Sequence, residues 1–394
     1  MVSSPLLGNL VLLPVIFSHG VLQFCGKEFV LSWTGHLSQR KGLISVKVIL
    51  GGPRPRYERN LPEDLPELGV ELVYCPRGTS EEELLAKGRD AFAYFVDAIT
   101  PVTESLMREM PNLRLIHSEG VAYNAIDCEA ARRRGIYVCH SKGCNAAAVA
   151  EQTIMLILML TRLGITGHRA VVEGRQIQLK EEVMFAAIPE LGDHTVGFVG
   201  FGDTVQATMR RLHPFGCPLY YYAPHRRPPD VEQAFHTSYL PLEELAATCD
   251  IVVLLCAVND QTRGMVNDQF LSRMKPTAYL VNTGRGDLID NNAVRRALVE
   301  GRLAGAAFDV LDPEPTPADH PLVDLPEEVR DRVIYSPHLA GITGSSFRRS
   351  HTGMWNSLRL LLNGQRPNHV VNGMPNESKI NHGSCEFFSR FSQD

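Results

Sequence analysis

Runs of four or five apolar residues, each closed by glycine, proline or a polar residue, recur along this chain from Ser45 onward. The first, 46–50, runs into Gly51-Gly52-Pro53, and Val70–Tyr74, Ala93–Val96 and 113–117 follow. Runs this short predict strands rather than helices. Between them, 80–87 predicts a helix with acids in its first turn, as the helix dipole favours, and Gly88 to stop it. A second series opens at Thr195, with apolar runs at Val196–Val199, Leu219–Tyr222, 251–255, Tyr279–Asn282, Gly305–Phe308 and Val333–Tyr335. Six short strands with helical spacers predict a doubly wound nucleotide-binding domain, and strands alternating with helices predict parallel sheets. The series are joined by a long helix, 146–163, with Asn145 as its N-cap. It is apolar on nearly all sides, so burial between domains is expected. A further helix, 345–362, follows the last strand.

At 394 residues the chain is long enough for two domains. With 44% hydrophobic and 21% charged residues it reads as an ordinary globular protein, and a formal charge of −5 gives no reason to expect nucleic acid. Nine cysteines without a C-x-x-C pair fit reduced thiols in a cytoplasmic protein, with neither a disulfide framework nor a metal site. The apolar stretch 6–17 has no Lys or Arg before it and holds Gly8, Asn9 and Pro14. It reads as neither signal peptide nor membrane span, and no membrane is expected as a partner. Residues 1–44 are taken as an extension outside the fold, and the polar, aperiodic 373–394 as a disordered tail.

Candidate chemistry begins at Gly200-Phe201-Gly202-Asp203-Thr204-Val205, which follows a strand and opens a helix. In that context Gly200 permits a tight turn, and Gly202 lets the backbone approach a pyrophosphate at the helix N-terminus. Val205 occupies the third glycine position, so the helix is expected to stand further from the strand. Asp203 must point away from the phosphates. At the end of the second strand of this series, where an NAD site needs an acid, stand Ala223-Pro224-His225-Arg226-Arg227. Cations at that place suit a 2′-phosphate, so NADP(H) is favoured over NAD(H).

Three later motifs deliver charged or titratable residues just after apolar runs: Asn282-Thr283-Gly284-Arg285-Gly286, Asp309 through Glu314-Pro315, and Ser336-Pro337-His338. Arg285 can hold the carboxylate and carbonyl oxygens of a 2-oxo acid and stabilise a developing alkoxide. His338 can deliver the proton, and Glu314 can orient its ring and favour the protonated form. Asp309 is near enough in sequence to support the pair.

Together with the segment Gly301-Arg302-Leu303-Ala304-Gly305-Ala306-Ala307-Phe308, these motifs resemble the D-isomer-specific 2-hydroxyacid dehydrogenase family over roughly 45–372. The resemblance implies two Rossmann-like α/β domains, parallel sheets with helices on both faces. The cofactor domain (145–338) would be inserted into a smaller substrate domain (45–144 plus 339–372). It implies Arg285, Glu314 and His338 as the catalytic set, and backbone N–H groups of Gly120, Val121 and Ala122 on the substrate carboxylate. The cofactor set comprises Gly200, Gly202, Asp203, Thr204, His225, Arg226, Arg227, Cys256, Thr283 and Asp309. A homodimer pairing through the cofactor domain is implied too.

The chain departs from the family pattern in three places. Ala122 stands where glycine is usual, which requires a negative φ. The run 255–258 replaces the usual His and Pro beside the adenosine. Asp97 stands where phosphoglycerate enzymes carry arginine, which favours a small unphosphorylated acid of the glyoxylate, hydroxypyruvate or pyruvate class, reduced to the D-2-hydroxy acid. Two other readings stay open: a dinucleotide-sensing corepressor-like interaction protein, and a phosphite or formate dehydrogenase, although formate enzymes pair the histidine with glutamine.

Overall fold

The computed structural model describes residues 46–375. The expected extension 1–44, and the expected tail from residue 376 on, lie outside them.

Twelve strands form two wholly parallel sheets among the described residues. The smaller contains β1 (Val46–Gly51), β2 (Val70–Tyr74), β3 (Ala93–Val96), β4 (Leu115–Ser118) and β5 (Tyr137–His140), in the order β2-β1-β3-β4-β5. The larger contains β6 (Val196–Val199), β7 (Leu219–Tyr222), β8 (Thr237–Tyr239), β9 (Ile251–Leu254), β10 (Tyr279–Asn282), β11 (Gly305–Phe308) and β12 (Val333–Tyr335). Its order is β12-β11-β10-β9-β6-β7-β8. Chain direction along the sheet reverses between β1 and β3 in one case and β6 and β9 in the other. These are the switch points outside which ligands bind in such sheets.

The central strands are buried on both faces, as parallel sheets covered by helices require. β3, β4, β6, β9 and β11 expose no residue. The Gly344–Leu362 helix returns to the smaller sheet, where Met354, Trp355 and Leu358 join a core with Leu50, Phe95 and Leu115. The segment after it adds to the edge of β5 through a bridge between Cys139 and Val370 and through Asn372, whose amide binds the backbone of Ile136 and Val138.

Every strand expected from the apolar runs is present, with ends shifted by no more than two residues. Two more were not foreseen. β5 carries Cys139 and His140 in a four-residue run, and β8 is a three-residue edge strand, too short for an apolar pattern to register. The connecting helix spans Ala146–Thr161 and packs on the helix Asp203–Leu212. Two expectations about it need correcting. Asn145 sits at the N-cap position but its side chain makes no capping bond. One face of the helix is also open: Ile154, Met155, Leu158 and Met159 line a shallow apolar cavity of about 460 Å³. No single helix among the described residues is long and apolar enough to cross a membrane.

Candidate active site

The nucleotide loop closes over the end of β9. Gly200 has φ +119°, and a Cβ there would lie 2.7 Å from the Leu255 carbonyl oxygen, so only glycine allows this approach. The contact brings the loop against Cys256, whose thiol burial pushes up to about 11, leaving it protonated and neutral. Gly202 caps the Asp203–Leu212 helix with no side-chain bond and faces open space. The first-turn N–H groups are therefore free for a diphosphate, as a dinucleotide requires. Asp203 does point away: its carboxylate lies against Gly143, 3.3 Å from where a Cβ would stand. Val205 is fully buried in the core beside Phe201 and Met209.

The turn after β7 departs from expectation. Arg226 is not free: its Nε and a terminal nitrogen each lie 2.9 Å from an oxygen of Glu232, which is 8% exposed. The Tyr221 hydroxyl donates to the same carboxylate (2.9 Å) and accepts from the Arg227 N–H (2.7 Å). Arg226 holds the Glu232 carboxyl below its ordinary range, against burial and with help from Tyr221. An acid thus lies beside this turn after all. It comes from the following helix, Pro229–Ala234, where no motif position pointed to it. Arg227, whose guanidinium lies over the Phe201 ring at 5.4 Å, has no carboxylate partner among the described residues, and His225 is exposed.

The ends of β10, β11 and β12 lie side by side and carry the remaining motifs. Asn282 is fully buried and holds its loop in shape, donating to the Arg285 carbonyl (2.9 Å) and accepting from the Gly284 N–H (3.1 Å). Thr283 shares a hydroxyl bond of 2.8 Å with Thr153 on the connecting helix. Arg285 is exposed with no carboxylate partner among the described residues, and its guanidinium donates to the Gly284 carbonyl. Behind it, a Cβ on Gly286 would lie 2.4 Å from the Leu311–Asp312 backbone, so any side chain there displaces the arginine loop.

Asp309 shapes the histidine loop. Its carboxylate accepts from the Ser336 hydroxyl and from the N–H groups of Leu339 and Ala340, both at 3.0 Å, while its carbonyl accepts from the His338 N–H. A carboxylate has about four acceptor directions, and three are used here. His338 is held at φ +53°, a strained setting for a residue with a Cβ. Its Nδ1 meets both Glu314 oxygens, at 2.8 and 2.9 Å, and Nε2 has no hydrogen-bond partner among the described residues. The loop also approaches Asn145, whose amide nitrogen is 2.7 Å from where a Cβ on Gly341 would stand.

The carboxylate loop follows β4 in the smaller sheet. Its carbonyls turn inward: Gly120 accepts from the Ser141 N–H, Val121 from His140 and Ala122 from the Ser118 hydroxyl. The Gly120 N–H is used internally, on Ser118. Those of Val121 and Ala122 have no partner among the described residues. Ala122 is not among the five described non-glycine residues with positive φ, so its backbone does not require the usual glycine.

The charge expected from Asp97 is not presented to substrate. Asp97 is buried, and although burial pushes its carboxyl up, the Ile99 and Thr100 N–H groups and Arg77 hold it low overall. Sequence reasoning also missed Glu119, buried beside the loop, bound by Arg56 (2.9 Å) and His351 (2.7 Å). Its partners come from opposite ends of the chain, so nothing local signals the cluster.

Residues 154–340 match the family model described as D-isomer specific 2-hydroxyacid dehydrogenase, NAD binding domain. A glyoxylate reductase of Thermofilum pendens is 36% identical over 294 residues, covering 74% of this chain and 85% of that protein. A formate dehydrogenase of Pseudomonas sp. is 34% identical, covering 67% of this chain and 64% of that protein. Among solved structures, an NADPH-dependent glyoxylate/hydroxypyruvate reductase from Sinorhizobium meliloti, in complex with NADP and malonate, superposes with a TM-score of 0.69. It has 25% identity over 85% of this chain and 99% of that one.

Proposed function

The chain belongs to the D-isomer specific 2-hydroxyacid dehydrogenase family and is an NAD(P)-dependent oxidoreductase of 2-oxo and 2-hydroxy acids, and we propose that it reduces a small unphosphorylated 2-oxo acid with NADPH. The observation that carries this is the His338–Glu314 pair beside an unpaired Arg285. Reducing a ketone requires hydride at carbon 2 and a proton at its oxygen. A bound reduced nicotinamide supplies the hydride. His338 Nε2–H supplies the proton, with Glu314 on Nδ1 fixing the ring and offsetting the charge it carries beforehand. Arg285 holds carboxylate and carbonyl oxygens, and the free N–H groups of Val121 and Ala122 take the other carboxylate edge.

The same pair argues against formate. Oxidising formate to carbon dioxide moves a hydride and no proton, so an acid–base dyad has no task there. That the substrate is unphosphorylated is supported by Arg56 and Arg77, the cations beside these loops. Each is already bound to a carboxylate, Glu119 and Asp97 respectively. Glyoxylate, hydroxypyruvate and pyruvate are the candidate acids, of the kind named for the glyoxylate reductases it resembles. The preference for NADPH rests on Arg227. In this reading residues 145–338 carry the cofactor, and 45–144 with 339–372 carry the carboxylate loop. Initial rates with NADPH and NADH across those acids test the proposal.

A homodimer is part of the same reading. The connecting helix and the two after it, Gly164–Val172 and Gln176–Ala186, expose Met155, Val171, Val172, Ile177, Met184 and Phe185. An apolar face of this kind suits a second copy of the chain. Sedimentation equilibrium should give a dimer that Phe185→Glu weakens; a monomer at micromolar concentration contradicts it.

A further inference from the structure

An open cavity of about 560 Å³ lies away from the residues assigned to catalysis, where the smaller sheet meets the Asp203–Leu212 helix. Lys142, just after β5, and Arg349, on the C-terminal helix, line one side. Arg210 and Arg211, on the Asp203–Leu212 helix, line the other, and His369 closes an end. In a chain of formal charge −5 this is a concentration of cations. Lys142, Arg210 and Arg349 have no carboxylate within 4.0 Å among the described residues, and Arg211 meets Glu151 only at 3.9 Å. Asp203 is the one acid lining the cavity.

We propose that this cavity is a binding site for a small polyanion, separate from the substrate site and beside the dinucleotide loop at Asp203, that bridges the two halves of the fold. Arg349 donates to the Cys144 carbonyl, Arg211 donates to the Ala207 carbonyl and Arg210 lies over the Phe235 ring, contacts that leave their charges uncancelled. A concave setting focuses the field of such cations, so a multiply charged anion gains from every wall at once. Arginine favours phosphate or carboxylate oxygens through paired hydrogen bonds, and the volume suits a small metabolite. Burial, then His140 and Lys142, hold the His369 imidazole below its ordinary range, against Asp203. Because its walls belong to both sheets' surroundings, an occupant fixes their relative setting and can regulate turnover.

Titration calorimetry of the full chain, with and without saturating NADPH, tests this with inorganic pyrophosphate and with citrate as separate probes. At least one should bind in the presence of NADPH. Tighter pyrophosphate binding assigns a phosphorylated ligand, and tighter citrate binding a polycarboxylate. Lys142→Ala with Arg210→Ala, both at exposed positions, should weaken that binding by about tenfold or more, as expected for losing two charge-assisted contacts. The NADPH and 2-oxo acid kinetics of this double variant should stay within about twofold of the parent. Absence of binding by either anion, displacement by NADPH, or indifference to the double substitution would each overturn the proposal. Displacement would show that the probes were reading the dinucleotide's phosphate site instead.

Discussion

Glu314 meets His338 with both carboxylate oxygens, 2.8 and 2.9 Å from Nδ1. The pair joins two loops that leave neighbouring strands, and Asp309 holds the histidine loop at its base. His338→Ala should therefore lower kcat by about 10² to 10⁴, the usual worth of a positioned proton donor. NADPH affinity, measured by fluorescence titration, should stay within about twofold, since the ring serves proton transfer and not the dinucleotide. An equal loss of cofactor affinity would show that the role is misassigned.

Glu314→Gln tests the partner separately. The amide keeps a hydrogen bond to the ring but removes the negative charge that faces it. Proton delivery should slow, so kcat should fall while the KM for 2-oxo acid and NADPH affinity are largely kept. An unchanged kcat would leave Glu314 with a merely steric role.

Cofactor choice separates the two arginines. Arg227→Ser should weaken NADPH by about tenfold or more while leaving NADH nearly unaffected, the expected cost of one charged phosphate contact. Arg226→Ser should act less selectively, because its guanidinium is bound to Glu232 and shapes the turn. If Arg226→Ser discriminates more strongly than Arg227→Ser, the assignment is reversed.

Ten of the twelve described strands and the three candidate motifs are legible in the chain because each is local; β5 and β8 are too short or too polar to register. An apolar run sets the strand, and the residue just beyond it lands at the carboxyl end of the sheet, where ligands bind. What escapes notice is set by distant partners. Nothing near Arg226 in the motif announces that Glu232, on the next helix, will bind it. Nothing near Glu119 announces Arg56 and His351. The apolar pattern of 146–163 identifies a helix but not that one of its faces stays open, because periodicity reports composition and not neighbours. Asp97 shows the same limit, since its charge counts only until Arg77 is seen beside it.

His117, adjacent to the carboxylate loop, gives a pH prediction for stability. It is fully buried, its Nδ1–H donates to the Ser118 carbonyl, and burial lowers its pKa from 6.5 to about 4. The unfolded chain takes up a proton below pH 6.5 that the folded chain refuses until about 4. Stability from this group is therefore fully present above pH 6.5 and lost as pH falls toward 4, by about 3 kcal/mol in all. Denaturant melts between pH 7 and 5 should show a slope that flattens in His117→Phe; an equal slope would assign it to other groups.

Gly286→Ala tests the arginine loop. Its Cβ would sit 2.4 Å from the Leu311–Asp312 backbone, so Arg285 must move. The KM for 2-oxo acid should rise and kcat fall, with NADPH binding largely kept, because a misplaced clamp costs about 10²-fold. Unaltered kinetics would remove Arg285 from the substrate site.

The proposed apparatus of Arg285, Glu314 and His338 reduces a small 2-oxo acid. Initial rates of NADPH oxidation with glyoxylate, hydroxypyruvate and pyruvate, set beside NADP reduction by formate, test it most directly. Oxidation of NADPH by at least one of the three acids, far exceeding any formate-dependent rate, is the predicted result. Binding of NADPH with no turnover of any of them, or turnover of formate alone, would contradict it.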